Sequence, residues 1–422
     1  MDSNPFTSDT FETVWKKHFV ADQPVFQCPY LHNLKFYKHR WLPLYFNLGG
    51  THTKGISYTP VPGAMAEPGN KVYLIYDVPT YFTEGPGPSG FPFKLEKVRQ
   101  YPGYLINLEG YHDIDDYLSR NFSKSSRYKL NKYKKRLEQS FDIRYAMYYG
   151  EIERTLYESL FQAFRELLEK RFDDKGISNN NLRDSEWNFY KEVAYPMIQE
   201  KKAALFVVYH EDTPISVTLN FLAGDILFDA ITVFDIDYYK FHLGSVNVRK
   251  LIEWCLENKI KTLDFSKGHF DYKLRWANKT YHFDYHLIYN PRSVPARLLA
   301  LLFKWYFQTK NYLREKKINE TYHRLTYSLA RKSTQPSSPR SYEFRNLEGP
   351  FKNEDWKEID PATLAEKQLN SIIFDFLYLH EGTFRETRVY SSREDNSLFL
   401  IETPGEKKIA KITGNHSPVT DL

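Results

Sequence analysis

The chain has 422 residues, 41% of them hydrophobic, a net charge of +5, a pI near 8.7 and a mean hydropathy of −0.59. The hydrophobic share excludes a wholly disordered chain, the hydropathy excludes a polytopic membrane protein, and the length suits about two or three domains. Cys28 and Cys255 stand far apart, so neither a disulfide framework nor a cysteine-based zinc site is expected.

The first residues, Met1 to Lys17, lack an apolar signal core, and no uncharged run of bilayer length follows. A cytoplasmic protein is expected, at most peripheral at the inner face of the membrane. No repeat at solenoid periods is present. Short aromatic runs over the first hundred residues (Leu34 to Tyr37, Trp41 to Phe46, Val72 to Tyr76, Tyr104 to Leu108) alternate with turns such as Val61-Pro62-Gly63. Glu84 to Gly90 is a loop on composition. Residues 1–119 thus make a β-rich half.

Arg120 to Arg136 carries eight Lys/Arg and no acid, and Leu130, Tyr133 and Leu137 fall on one side of a helix. This basic face holds an anionic substrate, contacts nucleic acid, or is simply solvated; without a recognition motif, specific nucleic-acid readout is not expected. A second amphipathic helix is expected over Glu151 to Lys170. Ala204 to Tyr209, Ile215 to Leu222 and Ile226 to Val233 then form an antiparallel meander, joined by Glu211-Asp212-Thr213-Pro214 and Ala223-Gly224-Asp225. A helix over Gly244 to Asn258 and strands at Lys261 to Phe265 and Tyr281 to Tyr289 follow.

The helix Arg297 to Phe307 is too short to span a bilayer. With Trp305, Tyr306 and a basic tail (Lys310, Arg314, Lys316, Lys317) it fits an interfacial helix on anionic lipid, or a buried core helix. A linker is expected over residues 333–341 and a small α+β module over 342–422. That module holds ten Lys/Arg against fifteen Asp/Glu, so the positive charge belongs to residues before it.

Phe234 to Lys250 is the most informative stretch. It joins a strand to a helix opened by Leu243-Gly244-Ser245, whose free N–H groups and positive dipole end make a seat for phosphate, with Ser245 as N-cap or phosphate donor; plain capping is the alternative. Twenty residues on, Thr262-Leu263-Asp264-Phe265 runs into Ser-Lys-Gly-His-Phe-Asp-Tyr-Lys273. Asp235, Tyr238, Tyr239, Gly244, Asp264, Phe265, Gly268, Tyr272 and Lys273, with the basic helix Ser123 to Lys132, resemble the pattern of the GNAT superfamily. Within it they resemble the CelD-like acyltransferases related to the FemAB aminoacyl transferases.

The resemblance implies an α/β fold with a mixed, mainly antiparallel central sheet flanked by helices. It also implies tandem GNAT-like halves (residues 1–119 and 120–332) and central strands that splay to admit an acyl thioester. An acceptor amine attacks the thioester directly, without metal or covalently bound cofactor. Acyl-CoA or an acyl carrier protein is the expected co-substrate, and a lipid amine or amino sugar the expected acceptor. The enzyme is thus expected to transfer groups other than aminoacyl groups. Only Gly244 stands where acetyltransferases carry several glycines, which keeps a FemAB-type aminoacyl-tRNA donor open; a non-catalytic scaffold binding a partner or membrane is the other alternative.

Asp229 lies mid-strand among apolar residues. Facing the cleft it suits a general base with raised pKa; facing out it stands on a half-solvated strand. Asp264 sits at a strand end, where ligands meet open sheets or where it caps the turn. Tyr272 is a donor for the leaving thiolate, and His269 or His242 a proton relay or a structural histidine. His242, Leu243, Gly244, Ser245 and Asn247, with Lys267 and Lys273, are the candidates for holding the donor. Arg127, Lys132 and Tyr239 are the candidates for the substrate.

Overall fold

A computed structural model describes residues 4–61, 69–82, 91–175, 180–316, 341–347, 353–360 and 367–413. The loop expected over 84–90, Pro62 and Gly63 of the expected turn, and all of the linker but Ser341 lie outside these residues.

The chain opens with α1 (Asp9–Phe19), started by the Ser8 hydroxyl accepting from the Phe11 N–H. Then come β1 (Val25–Gln27), β2 (Leu31–His32), β3 (Lys35–Lys38), β4 (Leu44–Asn47), β5 (Thr59–Pro60), β6 (Val72–Pro79) and β7 (Lys94–Asn107). The basic stretch is not one helix. Ser123 caps a new start, dividing it into α2 (Ile114–Asn121) and α3 (Lys124–Ser140). After β8 (Ile143–Tyr148), α4 (Arg154–Lys175) and α5 (Asp184–Gln199), the meander forms as expected: β9 (Ala203–His210), β10 (Thr213–Ala223) and β11 (Ile226–Phe234). Positive φ at Glu211 and Gly224 makes its two tight turns. Next are α6 (Leu243–Glu257), β12 (Thr262–Lys267), α7 (Asp271–Trp276), β13 (Lys279–Tyr289) and α8 (Val294–Glu315).

One eleven-stranded sheet runs through both halves, in the order β1-β3-β4-β6-β13-β7-β12-β11-β10-β9-β8. Every neighbouring pair is antiparallel except β4/β6 and β11/β12. Two long central strands cross over: β13, from the later segment, pairs with β6, and β7, from the earlier one, pairs with β12. Each flank of the sheet is thus completed by a strand from the other part of the chain. A separate five-stranded antiparallel sheet follows, built from β14 (Ser341–Arg345), β15 (Trp356–Ile359), β16 (Arg388–Ser392), β17 (Leu398–Thr403) and β18 (Glu406–Thr413).

That small sheet carries α9 (Lys367–His380), which packs back on the main body. Phe374 meets Phe141 and Tyr238 at ring separations of 4.9 and 4.6 Å, while Lys240 pairs with Asp375 at 2.9 Å. The module has its own sheet but shares its apolar core with α3 and α6.

Candidate active site

The parallel strands β11 and β12 pair only over Ile226–Phe228 and Thr262–Asp264, although both continue. On the far side of β11 the register of β10 slips between Leu219 and Asn220, so β11 bends beside Asp229. Beyond Phe228 and Asp264 the strands part, and the wedge between them starts at Asp229, which is buried rather than on a solvated face.

Asp264 is fully buried and holds three donors. The hydroxyls of Tyr281 and Tyr81 each donate at 2.7 Å, and the Ser266 N–H at 2.6 Å. Burial raises its pKa to about 6, with those donors pulling the other way. Tyr281 reaches it because its partner across the sheet is Gly103, where a Cβ would overlap the phenol ring. Asp229 accepts from the Thr232 hydroxyl at 2.7 Å; burial raises its pKa, opposed by that bond and by Lys273 and Lys54.

Lys273 donates to the carbonyls of Lys267 at 2.8 Å and Ser266 at 3.4 Å. Those carbonyls are turned inward where the chain leaves β12 through positive φ at Ser266 and Gly268. Burial lowers the Lys273 ammonium to about 8, against the pull of Asp229 and Asp264. Lys267 pairs at 2.5 Å with Asp77, a fully buried residue of β6. Lys54, its ammonium lowered by burial, faces Asp77, Asp229 and Glu186 and makes no hydrogen bond among the described residues. Gly55 lets the chain carry it in, since a Cβ there would come within 2.9 Å of Pro79 and 3.0 Å of Phe228. Two buried oxygens in the cluster, Asp77 Oδ1 and Ser266 Oγ, have no partner among the described residues. Such orphans mark a place where a ligand or water completes the set.

The sequence candidates divide into two groups. Asp229, Asp264, Lys267, Tyr272 and Lys273 converge at the wedge. The second group surrounds the start of α6. His242, in the left-handed conformation at φ 51°, is the N-cap and stacks on Tyr133 at 3.8 Å, with no side-chain cap bond. Ser245 is therefore in the first turn rather than at the cap. Leu243 is buried, and Gly244 lies where a Cβ would be 2.8 Å from the Phe234 ring. Asn247 is committed to the sheet, accepting from Ser216 and donating to Thr218, both at 3.1 Å. Lys132 lies over Tyr378 at 5.6 Å, Arg127 is half-buried on α3, and Tyr239 is 75% exposed. His269 is exposed, its Nδ1 at 2.8 Å from the Tyr104 hydroxyl.

Residues 124–274 match the family model described as an acetyltransferase (GNAT) domain. This segment is a GNAT domain. No curated protein matches the chain. Among solved structures, FemX is similar at 12% identity and a TM-score of 0.43, over 64% of this chain and 86% of that one. A conserved protein of unknown function from Bacteroides thetaiotaomicron aligns at 11% identity and 0.41, over 68% and 93%. A tandem GNAT protein from the clavulanic acid biosynthesis pathway aligns at 9% identity and 0.31, over 67% and 89%.

The GNAT domain does not hold the whole cluster. Lys54, Asp77 and Tyr81 precede it and Tyr281 follows it, delivered by β6, β13 and the loops beside them. Arg171, on α4, lies over the Phe234 ring at 4.6 Å, near Gly244 and Tyr272, with its charge partly desolvated. Asp77 carries the signal that picked out Asp229, an acid inside an apolar strand, and the same rule applied to Val72–Pro79 finds it. Lys54, Arg171, Tyr81 and Tyr281 have no local signal in so Tyr- and Lys-rich a chain.

Proposed function

We propose that the protein is an N-acyltransferase that moves an acyl group from a thioester to an amine, with the thioester lying in the wedge between β11 and β12. What supports this most is that the strands part at a buried carboxylate, Asp229, which feels the charges of Lys273 and Lys54 and accepts a hydrogen bond on only one of its oxygens among the described residues. In the proposed step the acceptor amine attacks the thioester carbon, Asp229 takes its proton, the carbon–sulfur bond breaks, and the Tyr272 hydroxyl protonates the departing thiolate. The proton on Asp229 then passes back to the Tyr272 oxygen, whose affinity for it is raised by burial and by Asp229. Asp264 positions Tyr81 and Tyr281, and Lys54 and Lys273 offset the charge of Asp229. The uncapped start of α6 and the Arg171 guanidinium at the mouth of the wedge suit the phosphates of a phosphopantetheine donor, either acyl-CoA or an acyl carrier protein.

Thermal melting with ligands tests the reading. Stabilisation by a long-chain acyl-CoA and not by acetyl-CoA is expected. Stabilisation by a charged tRNA and by neither CoA would replace it with aminoacyl transfer, a reading that the exposed lysines of α3 (Lys124, Lys129, Lys132, Lys135) favour. Profiling the lipids and amino sugars of cells with and without the gene identifies the acceptor.

A further inference from the structure

Helix α8 is apolar on two opposite sides. Ala296, Ala300 and Phe307 point into the molecule, Phe307 packing on Tyr285 at 5.0 Å. The opposite side is also apolar but bare: Leu298, Leu302, Trp305 and Tyr312 are 61, 59, 66 and 57% exposed, and Val294 and Leu301 extend the same stripe. These residues recur at helical spacing from Val294 to Tyr312, most of the length of the helix. A helix apolar on two opposite sides belongs between two apolar phases, and among the described residues the fold supplies only one of them. Among the described residues no helix is long and apolar enough to cross a membrane, so α8 can lie along a bilayer but cannot enter it end on.

Charge decides what covers the stripe. Between Asn290 and Lys316 the only acid is Glu315, against Arg292, Arg297, Lys304, Lys310, Arg314 and Lys316. Lys304 is taken up by Glu96 at 2.7 Å and Arg314 stacks on Tyr101 at 3.8 Å; Arg292, Arg297, Lys310 and Lys316 are exposed. By helical rotation Arg297 flanks the stripe on one side, and Lys316 continues the line of the stripe at the end of the helix, its ammonium 5.7 Å from the Tyr312 ring. A second copy of the helix would bring these cations together. A surface of anionic lipid headgroups pairs with them while its acyl boundary takes the leucines, with Trp305 and Tyr312 at the headgroup level.

We propose that the outer face of α8 is a membrane-docking surface for anionic lipid, a conclusion independent of the acyl-transfer reading. It also places the candidate site near the bilayer: Arg314, at the end of α8, stacks on Tyr101, and that ring lies 5.8 Å from the Lys267 ammonium in the wedge cluster.

The test is co-sedimentation of the full chain with vesicles of phosphatidylcholine alone or mixed with phosphatidylglycerol, at low and high salt. Binding to the mixed vesicles, weakened by salt, is expected. The triple variant Leu298→Gln, Leu302→Gln, Trp305→Gln should lose about tenfold or more in the bound-to-free ratio with its melting temperature unchanged. Undiminished binding by the variant, or no binding of the native chain to mixed vesicles, overturns the proposal. So does a native dimer in light scattering that the variant dissolves, since a second copy would then cover the stripe. A markedly lower melting temperature of the variant also overturns it, because the stripe would then be covered by the chain itself.

Discussion

The sheet has two parallel pairs, and they are put to opposite uses. In β4/β6 the pairing also lasts three residues, Leu44–Phe46 against Val72–Leu74. Where those strands would part, the Asn47 side chain accepts from the Tyr76 N–H at 2.9 Å, and Phe46 stacks on Tyr76 at a centroid distance of 6.0 Å. The gap is closed with rings and a hydrogen bond. In β11/β12 the corresponding gap begins at Asp229 and is lined with buried charge. Backbone geometry alone therefore does not make a site; what the strands carry past the last pair does. The closed gap adds packing, and the open one costs stability through desolvated carboxylates and ammoniums.

The largest expected effect sharpens this contrast. Asp229→Asn keeps the shape of the open wedge but removes the proposed base, so kcat should fall about a thousandfold, near 4 kcal/mol of barrier, with the melting temperature equal or higher. A variant that turns over at the native rate would remove Asp229 from the chemistry. The converse change is Leu74→Ala in the closed pair, where the side chain is fully buried. It should cost about 3 kcal/mol in denaturant unfolding with kcat little altered. A rate loss as large as that of Asp229→Asn would show that the two pairs do not divide the work in this way.

Much of this was legible in the sequence because the later segment uses local signals. The meander announces itself through its two tight turns, and Asp229 stands out because an acid among Leu227, Phe228 and Ile231 needs a reason. The long strands were legible only in part. Pro102-Gly103 interrupts the pattern of β7, and the sheet accommodates it by a register shift opposite β13 between His282 and Asp284. The crossing of β7 and β13, which brings Asp77, Tyr81 and Lys54 to the wedge, is a long-range pairing with no local mark. Helix α8 was ambiguous for a related reason. Two apolar faces read alike in sequence whether one or both are covered.

Titration should separate the two ends of the charged cluster, with effects of a few degrees in melting temperature. Asp264 has its folded pKa raised from 3.8 to about 6, so its contribution is fully present below 3.8 and is lost as pH rises through 6. Lys273 has its folded pKa lowered from 10.5 to about 8, so its contribution is present above 10.5 and is lost as pH falls through 8. Between about 6 and 8 both are charged. Melting measured against pH should show a fall across the acid window that Asp264→Asn removes, and a rise across the alkaline window that Lys273→Met removes. Slopes unchanged by either variant would mean that other groups carry them.

The smallest expected effect concerns the mouth of the open wedge, where Gly244 has two explanations. As part of an anion seat, it keeps the first turn of α6 accessible to phosphate. As packing, it makes room for Phe234, whose ring would lie 2.8 Å from an added Cβ. Gly244→Ala forces that ring or the helix start to move, at about 1 kcal/mol of stability. The double variant Gly244→Ala, Phe234→Leu restores the space without restoring access to the backbone. If packing is the whole role, the double variant regains the KM of the native protein for the acyl donor. If the N–H groups of the first turn hold the donor phosphates, KM stays several-fold high in both variants while kcat is nearly native, because the loss is in binding shared by ground and transition states. The second outcome is expected, since the start of α6 has no side-chain cap of its own and its first N–H groups suit the donor phosphates proposed there.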